Sequence, residues 1–181
     1  MRLDVMMVLV LSTALLAPEA HAQMDGVPLS RKATLLTGAG NDLGWLGAQG
    51  ELYFAGDRFS AFGGLGYTPE VDGGPAGPTF ALGLRAFTAG LRHRGFLELS
   101  LSQIATVSGG FDPSPTSVEL QSAGQRYYGP GALVGYQYAA KSGFTAMGSI
   151  GVGWAPALSD SPSGVSGVKG LLNIGVGYTW R

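Results

Sequence analysis

The sequence predicts an all-β fold, an eight-stranded antiparallel up-and-down transmembrane β-barrel. Three observations carry that expectation. Apolar residues alternate with small or polar ones through most of the chain, the alternating segments are long enough to cross a bilayer, and aromatic residues gather at their ends. The alternation is plainest in the last segment, where Leu172, Ile174, Val176, Tyr178 and Trp180 share one parity and Asn173, Gly175, Gly177 and Thr179 the other. That period of two is the one a strand imposes.

The N-terminus carries a different signal. Met1 and Arg2 lead into an apolar run from Val5 to Leu11 that continues through Ala14 to Ala17, and after Pro18 and Glu19 comes Ala20-His21-Ala22. Small-x-small is the pattern signal peptidase accepts. The apolar run is shorter than the roughly 20 residues of a membrane-spanning helix. Residues 1–22 are therefore expected to be a signal peptide cut before Gln23, and residues 23–181 a single outer-membrane β-barrel domain.

The eight segments follow in order. The first and weakest is Ala33 to Ala39; Gly44 to Phe54, Phe59 to Thr68 and Thr79 to Thr88 come next. The second half supplies Gly95 to Ala105, Gly129 to Ala139, Phe144 to Ala155 and Lys169 to Trp180. Most approach the roughly 9 to 11 residues of a tilted transmembrane strand. Short turns at Ala55 to Arg58, Ala89 to Arg94 and Ala140 to Gly143 alternate with longer loops, Pro69 to Pro78, Thr106 to Tyr128 and Pro156 to Val168, rich in Pro, Gly, Ser and Asp. Only the first connection, near Gly40-Asn41-Asp42, breaks this plan by being short. Short turns on one side and long loops on the other match an outer-membrane barrel, with the long loops outside if the N-terminus is periplasmic.

Amphipathic rings favour the two membrane interfaces. Phe54, Phe59, Phe96, Tyr138, Phe144, Tyr178 and Trp180 form the expected periplasmic girdle, and Trp45, Tyr67, Phe80 and Trp154 the outer one.

An eight-stranded barrel is narrow, so side chains fill it. On the inward parity, Gly47, Gly64, Gly66, Gly83, Gly151, Gly153, Gly175 and Gly177 make room for larger neighbours. Among these neighbours are Gln49, Glu51, Arg85, Glu98, Gln103 and Gln137. An Arg facing lipid at mid-depth costs about 2 to 4 kcal/mol, whereas in the lumen Arg85 can pair with Glu51 or Glu98. The six are read first as a structural lumen network and only second as a functional site.

Composition narrows the function classes. Without the leader the chain carries ten basic and ten acidic side chains, so no charge excess recruits nucleic acid. There is no cysteine, which removes disulfides and thiolate metal sites. Glycine is abundant without a Gly-x-y period, and the apolar fraction is high, which fits neither collagen nor a disordered tail.

Across residues 23–181 the chain resembles the small eight-stranded outer-membrane barrels of the outer membrane protein A and X type. The sharpest local match is Gly177-Tyr178-Thr179-Trp180, similar to the Gly-aromatic-x-aromatic ending that the barrel-assembly machinery reads in that group. The resemblance implies that machinery as a partner during biogenesis, with Gly177, Tyr178 and Trp180 as assembly signal, and outer-membrane lipid as surroundings. Arg181 follows the last aromatic where that ending usually stops at Phe.

No catalytic, cofactor or metal residue is assigned. His93, the only histidine after the leader, lies in the basic turn Leu91-Arg92-His93-Arg94. Barrel enzymes that modify lipid A resemble the chain in size but use a His and a Ser at the outer rim, the opposite end, so His93 is read as a solvated turn residue. One His with scattered carboxylates has no metal-ligand spacing. Gly38-Ala39-Gly40 before Gly44 lacks the helix of a dinucleotide loop and reads as a strand end.

The expected function is that of a small non-enzymatic, porin-like barrel of a Gram-negative-type cell envelope, structural or acting through its extracellular loops on an unknown ligand. The richest loop, Thr106 to Tyr128, holds Phe111, Asp112-Pro113, Ser114-Pro115, Glu119, Arg126 and Tyr127-Tyr128. The alternatives are an outer-membrane lipid-modifying enzyme and a soluble periplasmic ligand-carrying barrel.

Overall fold

The computed structural model describes residues 30–70, 76–107, 125–155 and 167–181. The expected signal peptide, residues 1–22, and the middle of each long loop lie outside the described residues. Eight strands follow in order: β1 (Ala33–Gly40), β2 (Gly44–Phe54), β3 (Phe59–Thr68), β4 (Gly77–Phe87), β5 (His93–Val107), β6 (Gln125–Ala139), β7 (Phe144–Ala155) and β8 (Gly167–Trp180). Neighbours in sequence pair antiparallel, and β8 returns to β1 to close a barrel.

Closure can be traced through the register. Starting at Gly170 of β8, direct partners run through Val152, Ala132, Leu99, Leu84, Ala61, Leu52 and Ala33, and from Ala33 back to β8 at Trp180. The circuit ends ten residues from where it began. Such a stagger tilts the strands of a small barrel by about 40° to its axis.

The pairing Ala33↔Trp180 puts both chain flanks at one end, here the near end, with the three short turns. The first turn and all three long connections leave from the far end, as the alternating plan requires. At the near end Ala55, Gly56 and Asp57 carry φ of 51°, 67° and 67°. This left-handed run suits Gly and is tolerated by Asp.

Strands β5 and β6 outrun the expected segments. The ladder continues through Thr106↔Arg126 to Val107↔Gln125, so Gln125 to Tyr128 are strand where loop composition was expected. Polar side chains do not end a ladder whose backbone groups stay paired. At the other end β5 begins at His93, two residues before the expected Gly95.

Inward and outward faces follow the period of two, and the eight glycines expected inside share the parity of buried neighbours such as Gln49, Phe62, Arg85, Ser149 and Asn173. Two expected positions are corrected by that same period. Phe96 shares parity with Glu98 and is buried in the lumen with Leu36, Phe87 and Met147, not in the near girdle. Gln103 shares parity with Leu99 and Leu101 and lies half-buried, while Ser102 and Ile104 take the inward sites beside it. The remaining girdle residues face outward.

Candidate functional site

Midway along the lumen, Arg85 sits among three of the other expected residues, Gln49, Glu51 and Glu98. It and Glu98 are direct register partners on β4 and β5; Arg85 Nε donates to Glu98 Oε2 at 2.7 Å and Nη1 to Glu51 Oε1 at 3.2 Å. With its amide oxygen turned inward, Gln49 accepts from Nη1 and Nη2 at 2.7 and 3.0 Å. Ser60 Oγ donates to Glu51 Oε1 at 2.5 Å. The guanidinium carbon lies 4.2 Å from the Phe62 ring centre and 5.0 Å from that of Phe96. Those rings fit because glycine stands where each would collide with a Cβ, Gly83 under Phe62 and Gly135 under Phe96.

Toward the near end the network continues through Tyr53, Gln137 and Arg94, which strand parity assigns inward, and through Arg31 and Asp57, which lie outside the strands. Tyr53 Oη donates to Glu51 Oε2 at 2.8 Å and accepts from Gln137 Nε2 at 3.1 Å. Gln137 Oε1 in turn accepts from Arg94 Nη2 at 2.7 Å and Arg31 Nη1 at 3.4 Å. Arg94 lies over Phe87, 4.0 Å from its centroid, and Nη1 donates to the Asp57 carbonyl at 2.8 Å. The Arg31 backbone N–H donates to Asp57 Oδ2 at 2.7 Å, and its Nη2 to the Leu91 carbonyl. Burial lowers the Arg31 pKa, with Tyr53 and Asp57 opposing. The two arginines thus tie two near turns together as a floor. A chain of hydroxyls, Thr34 to Thr179 at 2.7 Å and Thr179 to Thr145 at 2.6 Å, crosses β1, β8 and β7 at the same level.

At the far end the short first connection folds into the barrel. Asp42 and Leu43 are fully buried. Asp42 N–H donates to Asn173 Oδ1 at 3.0 Å, and Asn173 Nδ2 returns a bond to Asp42 Oδ2 at 2.7 Å. Asn41 exchanges bonds with the backbone of Leu172 and reaches the Gln103 carbonyl at 3.1 Å. The Leu43 carbonyl lies against Gly47 and Gly66, where any Cβ would strike it. Gly44, at φ 66°, turns the chain back into β2. Outside this plug a cavity of about 410 Å³ is lined by Gly40, Asn41, Trp45, Thr68, Gln103 and Ile104.

The wall at this end is braced unusually. Strands β4 and β5 pair from Phe87↔Phe96 only as far as Leu82↔Leu101. Beyond that point side chains of β6 reach past β5: the Tyr128 ring stacks on Phe80 at 4.4 Å, and Arg126 Nη1 donates to the Pro78 carbonyl.

Five of the six expected lumen residues therefore meet in one network and Gln103 does not. Arg31, Asp42, Tyr53 and Arg94 belong to it and were not expected. For Arg94 the signal was its shared parity with Glu98. His93 stands exposed at the start of β5, its Nδ1 hydrogen-bonded to Tyr136 Oη and its ring 5.0 Å from that of Tyr138. No known protein family, no curated protein and no solved structure matches the chain. Chemically the lumen's groups mostly pair with one another, from the arginine floor to the Asp42–Asn173 plug, while Arg94 Nε, Glu98 Oε1 and Asp42 Oδ1 are buried without a hydrogen-bond partner.

Proposed function

We propose that the chain spans the outer membrane as a small barrel and serves the envelope without chemistry of its own, as a structural element or through its far-end loops. One observation carries this reading. The outer face is apolar all round, with Leu35, Leu52, Leu65, Leu82, Leu84, Leu99, Ile150, Val152, Leu172 and Ile174 all exposed. A water-soluble monomer rarely exposes apolar patches beyond a few hundred Å². The height of the band fits as well. From Val168 to Trp180 the outward residues of β8 span about 40 Å along the strand, or about 30 Å once tilted, the thickness of a bilayer core. Rings border the band at both ends, Phe54, Phe59, Phe144, Tyr178 and Trp180 near, Trp45, Tyr67, Phe80 and Trp154 far.

The filled lumen favours a sealed wall over a ligand carrier, because Arg85 and its partners occupy the axis where a ligand would sit. Outward Tyr178 and Trp180, in edge contact at 5.2 Å, together with Gly177 just before them on the inward parity, are proposed as the signal read during assembly.

Fractionation of expressing cells tests the reading, together with gel mobility of unboiled and boiled samples. The expected result is recovery with the outer membrane and a band that shifts on heating. A soluble product with no heat shift would overturn it.

A further inference from the structure

We infer that the near end carries a collar of cations that selects anionic phospholipid headgroups in the leaflet it faces. This rests on the membrane reading above and adds a ligand class to it.

The cations are distributed one per structural unit around the rim. Lys32 precedes β1, Arg58 lies in the β2–β3 turn, Arg92 in the β4–β5 turn, Lys141 in the β6–β7 turn, and Arg181 follows β8. Backbone bonds place each against the wall: Lys32 N–H to the Trp180 carbonyl, Phe87 N–H to that of Arg58, Ala139 N–H to that of Arg92. Arg181 donates to the carbonyls of Ala140 and Lys141 at 2.7 and 2.8 Å. The first four side chains are exposed and Arg181 is half-exposed. Among the described residues at this end Asp57 is the only side-chain carboxylate, its Oδ2 accepting the Arg31 backbone N–H, so the rim carries an excess of positive charge. The far connections are of opposite sign in sequence, with Glu70, Asp72, Asp112, Glu119 and Asp160.

Position identifies the ligand. Arg58 adjoins Phe59, which stacks on Phe54 at 6.1 Å, and Arg181 adjoins Trp180. A cation just beyond an interfacial ring sits at headgroup depth, its stem lying along apolar surface. A ring of separate cations round a circumference suits many small anionic headgroups, whereas one long polyanion would need a contiguous patch across the end. Anionic headgroups attract such residues electrostatically, and salt weakens the attraction.

The chain has three tryptophans, so Trp45→Phe with Trp154→Phe leaves Trp180 as the sole reporter at the near girdle. This protein is folded into vesicles of equal parts phosphatidylcholine and phosphatidylglycerol, with bromine on the acyl chains of one lipid at a time. Brominated phosphatidylglycerol is expected to show at least about a threefold preference for Trp180 at low salt. The preference should fall toward parity at 1 M salt, where screening acts over about 3 Å. A sole Trp45 at the far girdle should show no preference. Lys32→Gln, Arg58→Gln, Arg92→Gln and Lys141→Gln together should abolish that at Trp180. Parity at low salt overturns the inference. So does an equal preference at Trp45, or a preference that survives the four substitutions or 1 M salt. Parity with co-sedimentation on purified peptidoglycan would give the rim to that polymer instead. Quenching by neither lipid means the barrel is not in the bilayer, which sinks the membrane reading itself.

Discussion

Arg85 of β4 and Glu98 of β5 are direct partners across the ladder, and 2.7 Å separates Arg85 Nε from Glu98 Oε2 with both side chains sealed from solvent. Removing the cation leaves Glu51 and Glu98 buried without their counter-ion. Arg85→Met should therefore cost about 3 to 5 kcal/mol, measured by urea unfolding of the refolded barrel. Adding Glu51→Gln and Glu98→Gln should restore most of that loss. A single variant as stable as the parent would show that the pair does not brace the wall.

The inward seat of the first turn depends on Gly66, which faces the Leu43 carbonyl. Gly66→Ala should force the turn outward or bend β3, at about 1 to 3 kcal/mol. Gly63, on the outward face, meets only Leu82 at 3.4 Å, so Gly63→Ala should change stability by less than about 0.5 kcal/mol. The comparison uses the same unfolding assay, and equal losses would argue against a seated plug.

Leu99 is 66 % exposed midway along the wall. In water Leu99→Lys is harmless or helps solubility, but in a bilayer it should cost about 2 to 4 kcal/mol. Refolding into lipid vesicles under a urea gradient separates the two. An unchanged midpoint would count against lipid on that face.

Orientation can be read on cells. The β5–β6 connection leaves the far end and the β6–β7 turn the near end. An epitope beside Ser114 should label on intact cells, and one beside Ser142 only after permeabilisation. The reverse pattern would invert the proposed orientation.

Much of this architecture was legible because one rule, the period of two, acts along the whole chain. It sets out eight strands and gathers Glu51, Arg85 and Glu98 on one inward face. Residue type misleads where it competes with that rule. An aromatic ring at Phe96 suggests the girdle and a polar side chain at Gln103 the lumen, but Leu97, Leu99 and Leu101 fix the outward parity of their strand and place the two the other way. Arg94 ends a run of basic residues that reads as a solvated turn, yet the phenyl ring of Phe87 and the Gln137 amide give its charge a place inside. Arg31 and Asp42 lie just beyond the strands, where parity no longer holds and only the closed geometry shows which way a side chain points. The same limit hid the plug, since a short connection has the same composition whether it folds in or out.

The pairing of Ala33 with Trp180 has a consequence in time. Strand β8 is synthesised after the other seven, and until it arrives β1 and β7 each keep an unpaired edge open to other chains. Every stable circuit of this wall includes a contact between residues almost 150 positions apart, so local growth from a hairpin cannot complete it, and such distant pairing is slow. The chain must therefore remain incomplete throughout its own synthesis, and the step that seals it is also the one that removes its last sites for misassociation.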